Sequence, residues 1–259
     1  MKVVILCGGD GMRLSTMLEP IPKAMVHIGH RPMVWHVMKI FSKFGYNEFV
    51  LALGTGGERI RDYFLNYNLF TNNVTIELGN PNGIVVNTQN QERDWKITFV
   101  DTGDVAGTGA RLARCEDVVI DDTFFLTYAD CLSNVDISAL YEQHNASKNV
   151  VTLTGVYPPF RYGEFIMEGR TPVAWNAIST LKSQHGWVNG GFMVMDKEIF
   201  GYVDQFNECI LEKDVFSTLV KDKKIGIYEH TKFWQCLDNE REFRLLNSMY
   251  EDNNPLWLQ

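Results

Sequence analysis

The chain has no excess of positive charge. Its 24 Lys and Arg residues stand against 32 Asp and Glu, a formal net charge of −8 over 259 residues. A sequence-blind nucleic-acid binder needs a basic, phosphate-neutralising surface, and a protein of anionic membrane surfaces needs basic clusters. The balance argues against both partners. No apolar run approaches the ~18 residues of a membrane-spanning helix. The apolar start, Met1 to Cys7, meets glycine at once; it is too short for a secretory signal core, and no cleavage site follows. The five cysteines (Cys7, Cys115, Cys131, Cys209, Cys236) are odd in number, scattered and without a CxxC pair. Neither a disulfide framework nor a zinc knuckle is suggested, and reduced thiols in a cytoplasmic protein are the simplest reading. The six histidines lack HExxH spacing. His27 and His30 could share a helix face, with solvated or core-capping roles the plainer explanation. Internal repeats, low-complexity tracts and Pro-, Gly- or Ser-rich linkers are also missing, so residues 1–259 are taken as one domain.

What is present is an ordinary globular balance, 45% hydrophobic and 22% charged, arranged as alternating strand-like and helix-like segments. Lys2–Cys7, Glu48–Leu53, Lys96–Asp101, Phe124–Tyr128 and Val150–Val156 are short apolar runs of buried-strand type. Between them Pro32–Phe44, Glu58–Tyr67 and Ile137–Asn145 carry helical spacing, with Gly45 where a helix-ending glycine belongs. Val188–Met195 and Ile225–His230 follow as strands, and Asn239–Tyr250 as a last helix with Phe243, Leu246 and Met249 on one side. This βαβα rhythm predicts an α/β fold, a doubly wound and mainly parallel sheet with helices on both faces. Ligands of such sheets bind beyond the carboxyl ends of the strands. The long Gly54–Gln91 region has little periodicity and is compatible with homo-oligomer contacts.

The first strand runs into Gly8-Gly9-Asp10-Gly11-Met12-Arg13-Leu14. The spacing is neither GxxxxGK[ST] nor GxGxxG. Glycines there let backbone N–H groups converge and let a phosphate or base approach closely. Arg13 adds a permanent cation with a fork suited to phosphate oxygens. Lys23 follows in Pro20-Ile21-Pro22-Lys23-Ala24-Met25, presented by a proline-stiffened segment. A tight βα turn would explain the glycines alone; the added Arg and Pro-x-Pro-Lys favour an anionic ligand. Asp130 ends a buried strand at the ligand-binding edge, and Asp238 stands just before the last helix. A cation bridging nucleotide phosphates takes one or two protein carboxylates. The competing readings are a turn residue for Asp130 and a helix cap for Asp238. Thr108-Gly109-Ala110-Arg111 opens a helix-like stretch whose first N–H groups could meet an anion or a base edge; Arg111 could equally be a solvated surface residue.

GGDGMRLS at 8–15 with PIPKAM at 20–25 resembles the GGxGTRL…PKPM signature of sugar nucleotidyltransferases. Val100-Asp101-Thr102-Gly103-Asp104, Thr108–Arg111, Leu126-Thr127-Tyr128-Ala129-Asp130, Asn189-Gly190-Gly191-Phe192 and Phe233-Trp234-Gln235-Cys236-Leu237-Asp238 fall in that family's order along nearly the whole chain. The VDTGD…TGxR and FWQxxD blocks look most like the glucose-1-phosphate cytidylyltransferases. The resemblance implies CTP as donor and a small phosphorylated acceptor, with CMP transferred and pyrophosphate released. It implies nucleotide contacts at Leu6, Gly8, Gly9, Gly11, Met12, Arg13, Lys23, Arg111 and Ala129, with Arg13 and Lys23 acting in catalysis. It also implies Mg²⁺ on Asp130 and Asp238, acceptor contacts at Gly109, Asn189 and Gly190, a Rossmann-like sheet with extra antiparallel strands near the acceptor site, and a role in capsule or polysaccharide biosynthesis.

One block departs from the family. The Glu-Lys-Pro whose lysine contacts the acceptor phosphate is missing; the region reads Val173-Ala174-Trp175-Asn176-Ala177-Ile178-Ser179-Thr180-Leu181-Lys182. Met12, Cys131 and Ala106 are lesser departures, Cys131 standing where the family has glycine. The loss falls on the acceptor side, while the nucleotide and metal side is nearly complete. It points away from glucose 1-phosphate and toward another acceptor, with phosphoglutamine, used by a cytidylyltransferase of this superfamily in capsular phosphoramidate synthesis, as one candidate. A sugar-1-phosphate enzyme using another base and a non-catalytic nucleotide-binding protein are the further alternatives. An NAD-linked oxidoreductase fits less well, because the glycine spacing is wrong and Glu48 is not a convincing ribose-binding acid.

Overall fold

The computed structural model describes residues 1–8, 21–80, 83–87, 92–157, 164–168, 171–176 and 186–259. Fifteen strands lie within them. In chain order they are β1 (Lys2–Leu6), β2 (His27–Ile28), β3 (Arg31–Pro32), β4 (Glu48–Leu53), β5 (Asn73–Ile76), β6 (Ile84–Asn87), β7 (Lys96–Asp101) and β8 (Thr123–Tyr128). Then come β9 (Cys131–Ser133), β10 (Val151–Val156), β11 (Glu164–Glu168), β12 (Thr171–Asn176), β13 (Val188–Asp196), β14 (Ile225–His230) and β15 (Trp234–Cys236). The helices are α1 (Met33–Ser42), α2 (Gly57–Leu65), α3 (Tyr67–Thr71), α4 (Thr108–Ala113), α5 (Ile137–Asn145), α6 (Phe216–Lys221) and α7 (Glu240–Glu251).

Seven strands form one sheet in the order β14-β10-β13-β8-β1-β4-β7. Every neighbouring pair is parallel except those of β13, which runs antiparallel to β8 and β10. Six strands therefore end on one edge, and β13 begins there. Alternation along β1 explains the layering: Val3 and Ile5 enter one core with Phe41, Leu51, Phe125, Leu246 and Trp257, while Val4 and Leu6 enter the other with Ala52, Leu112, Leu126 and Leu219. Both faces of β1 are covered, which is why its sequence is apolar throughout rather than alternating. The chain leaves β1 toward β4 and β7, then returns to place β8 on the other side of β1. That reversal is a topological switch point, where α/β sheets open a ligand crevice.

The helices follow the expected pattern with local differences. α1 buries eight of its ten residues between the sheet and the C-terminal turn Leu256–Leu258. Gly45 takes a left-handed φ of +84° and its N–H closes on Ser42 O, ending the helix as expected. The helix expected over Glu58–Tyr67 breaks at Asn66 into α2 and α3. His27 and His30 lie on and beside the β2–β3 hairpin rather than on a helix, His30 edge-on to Tyr250. The Gly54–Gln91 region supplies α2, α3 and the β5–β6 hairpin, which leaves Ile76, Ile84 and Val85 exposed. No helix among the described residues is long and apolar enough to cross a membrane.

Candidate active site

At the switch point Asp130 follows β8 and Gly8 lies just past the end of β1. Lys23 reaches the same place. It opens a short 3₁₀ turn, Lys23–Met25, whose geometry is set by Pro22: Met25 N–H donates to Pro22 O at 2.8 Å. Pro22 in turn rests on Gly56, where a side-chain β-carbon would lie 2.4 Å from Pro22 Cγ. The Lys23 Nζ donates to Asp130 Oδ2 at 3.1 Å and to Asp238 Oδ1 at 2.6 Å. Burial alone would lower the ammonium pKa; the carboxylates, led by Asp130, reverse that and hold it above the ordinary lysine value.

Asp130 and Asp238 are 108 positions apart in sequence, at 130 and 238, and meet because β9 and β15 pair antiparallel directly behind them. Leu237 N–H donates to Asp130 O at 2.8 Å, joining the two segments between the carboxylates. Asp238 does not cap the last helix. Asn239 does, its Oδ1 accepting from Glu242 N–H at 3.1 Å, while Glu242 Oε2 returns to accept from Asp238 N–H at 2.6 Å. This reciprocal pattern resembles a capping box shifted by one residue, and it leaves the Asp238 carboxylate directed at Lys23. Two hard oxygen donors of this kind could hold a divalent ion such as Mg²⁺, and the ammonium bridging them shows that they converge on positive charge.

The residues expected on the acceptor side, Asn189 and Gly190, lie on β13. Because β13 is antiparallel, its first residues stand at the same edge as the β8 carboxyl end. Asn189 Nδ2 donates to Tyr128 OH at 3.4 Å, and Gly190 O accepts from Trp234 Nε1 at 2.7 Å. Gly191 has a φ of +87°, and a β-carbon there would sit 2.8 Å from the Tyr128 ring. Tyr128 also donates to Glu212, which accepts from Thr108 Oγ1 at 2.9 Å. Burial first, and the neighbouring Glu212 second, push the Tyr128 hydroxyl pKa well up.

Arg111 is neither solvated nor pointed outward. It is 2% exposed and its guanidinium donates to Thr102 Oγ1 (2.7 Å), Gly103 O (2.8 Å), Asp104 O (3.0 Å) and Leu53 O (3.3 Å). It packs flat beneath Gly8, where a β-carbon would fall 2.1 Å from Arg111 Cζ. Gly8 is thus required by an arginine on its back side, a reason the sequence did not suggest. The start of α4 offers no open N–H groups to an anion at Gly109 or Ala110, a correction to the sequence reading: both donate to Cys209 O, and a β-carbon on Gly109 would meet Cys209 Sγ at 2.4 Å. Leu6 and Ala129 are buried at the ends of β1 and β8, with Ala129 N–H donating to Leu6 O at 3.3 Å. Gly9, Gly11, Met12, Arg13 and Lys182 lie outside the described residues.

Sequence reasoning missed three contacts here. Glu212 carries no motif of its own. Arg111 packs under a glycine 103 positions earlier in the chain, Gly8 at 8 against 111. Cys131 and Cys236, separated by 105 residues, face each other across β9 and β15. No local signal marks any of them.

Residues 2–174 match the family model described as nucleotidyl transferase. The chain belongs to the nucleotidyl transferase family. The glucose-1-phosphate cytidylyltransferase of Salmonella typhimurium is 35% identical over 258 residues, covering 99% of this chain and 98% of the relative. HddC from Yersinia pseudotuberculosis, solved with GMP-PN, superposes with a TM-score of 0.67 at 18% identity, over 96% of this chain and 99% of that one. The inositol-1-phosphate CTP transferase from T. maritima superposes at 0.63 with 17% identity, over 96% of each chain. At such identities these two structures establish the likeness of fold. In this nucleotidyl transferase, the Lys23–Asp130–Asp238 cluster lies at the carboxyl edge of the sheet, where open α/β sheets in general bind ligands.

Proposed function

We propose that the protein transfers CMP from CTP to a small phosphorylated acceptor, releasing pyrophosphate and giving a CDP-linked product. The observation that carries this reading is one ammonium, Lys23, held by two carboxylates at the switch point of the sheet. Full-length likeness to a cytidylyltransferase supports CTP as the donor. An acceptor phosphate oxygen attacks the α-phosphorus, and the pyrophosphate oxygen leaves. The attacking oxygen is ionised near pH 7, so no general base is needed. The reaction asks for positioning and charge neutralisation, which a rigid sheet edge supplies.

Lys23 carries its permanent charge to the phosphates undergoing transfer. Asp130 and Asp238 are the residues that would hold Mg²⁺, which when bound offsets the charge that develops on the phosphate oxygens. Gly8 lets the backbone after β1 approach the nucleotide, and Arg111 supports that backbone from behind. Asn189, oriented by Tyr128 and by its own bond from Gly191 N–H at 3.0 Å, faces the acceptor. Arg13 with Gly9 and Gly11 is assigned to the leaving phosphates on the strength of the motif.

For the acceptor we assign a sugar 1-phosphate, because the relatives similar along their whole length carry that substrate in their names. The missing Glu-Lys-Pro means that its phosphate is held differently here. The test is pyrophosphate release from CTP, UTP, dTTP and GTP with Mg²⁺ and a panel of sugar 1-phosphates plus phosphoglutamine. CTP with a sugar 1-phosphate should give the fastest release. Turnover with phosphoglutamine alone would move the acceptor to a phosphorylated amino acid, and tight CTP binding with no release across the panel would make the protein a non-catalytic binder.

A further inference from the structure

Cys131 and Cys236 are directly opposite each other in the β9–β15 ladder, with Sγ atoms 2.9 Å apart. The flanking bond from Leu237 N–H to Asp130 O makes them a non-hydrogen-bonded pair, the type whose Cα atoms approach to about 4.5 Å. That separation lies within the range a disulfide spans. A shared zinc is a poorer match, since a tetrahedral site with Zn–S near 2.3 Å holds its sulfurs roughly 3.8 Å apart. Cys131 is 4% exposed; Cys236 is only half-buried and is the one an outside reagent reaches. Each cysteine adjoins a carboxylate of the site: Cys131 follows Asp130 and its Sγ lies 3.5 Å from Asp130 Oδ1, and Cys236 is two residues before Asp238.

We propose that Cys131 and Cys236 form a reversible redox pair, closing to a disulfide that staples β9 to β15 and thereby slows transfer at the adjoining carboxylates. The oxidant is a small-molecule disulfide of the glutathione type. The Cys236 thiolate attacks one of its sulfurs and releases one thiol; the Cys131 thiolate then attacks Cys236 Sγ in the mixed disulfide and releases the second. One S–S bond is broken and one formed, and the two protein thiols pass two protons and two electrons to the oxidant. Closure draws the sulfurs from 2.9 Å to about 2.05 Å and removes the S–H donor beside Asp130 Oδ1. The disulfide itself stands on geometry alone, and its effect on turnover rests on the function proposed above.

The full chain is incubated with excess oxidised glutathione and then, in a second arm, returned to dithiothreitol. Denatured thiol counts, intact mass, a peptide map and pyrophosphate release are read together. The expected result is loss of two of the five thiols, a mass lower by two hydrogens, a Cys131–Cys236 crosslinked peptide, and a tenfold or greater fall in turnover that dithiothreitol restores. Cys236→Ser should keep the reduced rate and ignore the oxidant. Five titratable thiols after oxidation, a glutathione adduct that persists on Cys236, a bond between other cysteines, or stoichiometric zinc that blocks oxidation would each overturn the pair. A disulfide that forms with turnover unchanged overturns the switch. A disulfide that forms in a protein with no transfer activity supports the pair and counts against the functional assignment instead.

Discussion

Lys23 carries the densest set of consequences of any single residue. Its ammonium offsets part of the repulsion between two carboxylates held at close range. Lys23→Ala should lower turnover by roughly two or more orders of magnitude, the scale of a lost electrostatic stabiliser, as read by pyrophosphate release at saturating CTP. Asp130→Asn should do the same and should raise the Mg²⁺ concentration needed for half-maximal rate; an unchanged Mg²⁺ profile would remove Asp130 from the metal set. Gly8→Ala places a methyl group inside the Arg111 guanidinium and must unseat it from the carbonyls of Leu53, Gly103 and Asp104. A buried charge stripped of partners costs several kcal/mol, so this variant should melt well below the wild type in a thermal scan. Lys23, Asp130 and Asp238 were legible in the sequence because their motifs are local. The partners of Arg111 were not, because they come from two separated segments, the end of β4 and residues 102–104.

Two helices give tests at the scale of elements. Asn239 caps α7 and helps hold Asp238 just ahead of it. Asn239→Ala should cost about 1 kcal/mol, a fall of about 2–4 °C in Tm, and should lower turnover through the displaced carboxylate. A stability loss with no change in rate would separate the cap from the site. On α1, His36 is fully buried, accepts from Trp257 Nε1 at 3.1 Å and meets Ile28 O at 2.9 Å, which assigns its proton to Nε2. Burial pushes its pKa down to about 4 from 6.5. Below pH 6.5 the unfolded chain binds a proton that the folded His36 refuses. Stability is therefore complete above pH 6.5 and declines as pH falls toward 4, by about 3 kcal/mol in all. Denaturant midpoints from pH 7 to pH 4 should show that slope, and His36→Gln should flatten it. Most elements were readable because short apolar runs bounded by glycine or polar turns have few alternatives. The break at Asn66 and the β5–β6 hairpin were not, since that region packs little apolar surface and its periodicity is weak.

At the scale of the whole molecule the sheet order explains why scattered motifs form one site. Parallel strands bring Gly8, Asp104 and Asp130 to one edge, and the single reversed strand, β13, brings Asn189 there from the opposite direction. The alternation of strands and helices made the parallel sheet legible, and the resemblance implies extra antiparallel strands near the acceptor side; that β13 is the strand reversed within the main sheet was not legible. The net charge of −8 means that a polyanionic nucleotide is admitted by local cations rather than by the global field. Raising the salt concentration should accordingly change CTP binding far less than Lys23→Ala does, measured by calorimetry at fixed Mg²⁺. The most direct measurement is the fate of α-labelled CTP incubated with the protein, Mg²⁺ and a sugar 1-phosphate. Label should appear in a CDP-linked product, formed in step with pyrophosphate and at least about a hundredfold more slowly by the Lys23→Ala variant. Label that stays in CTP with every acceptor, or product formed by that variant at the wild-type rate, would contradict the proposed transfer.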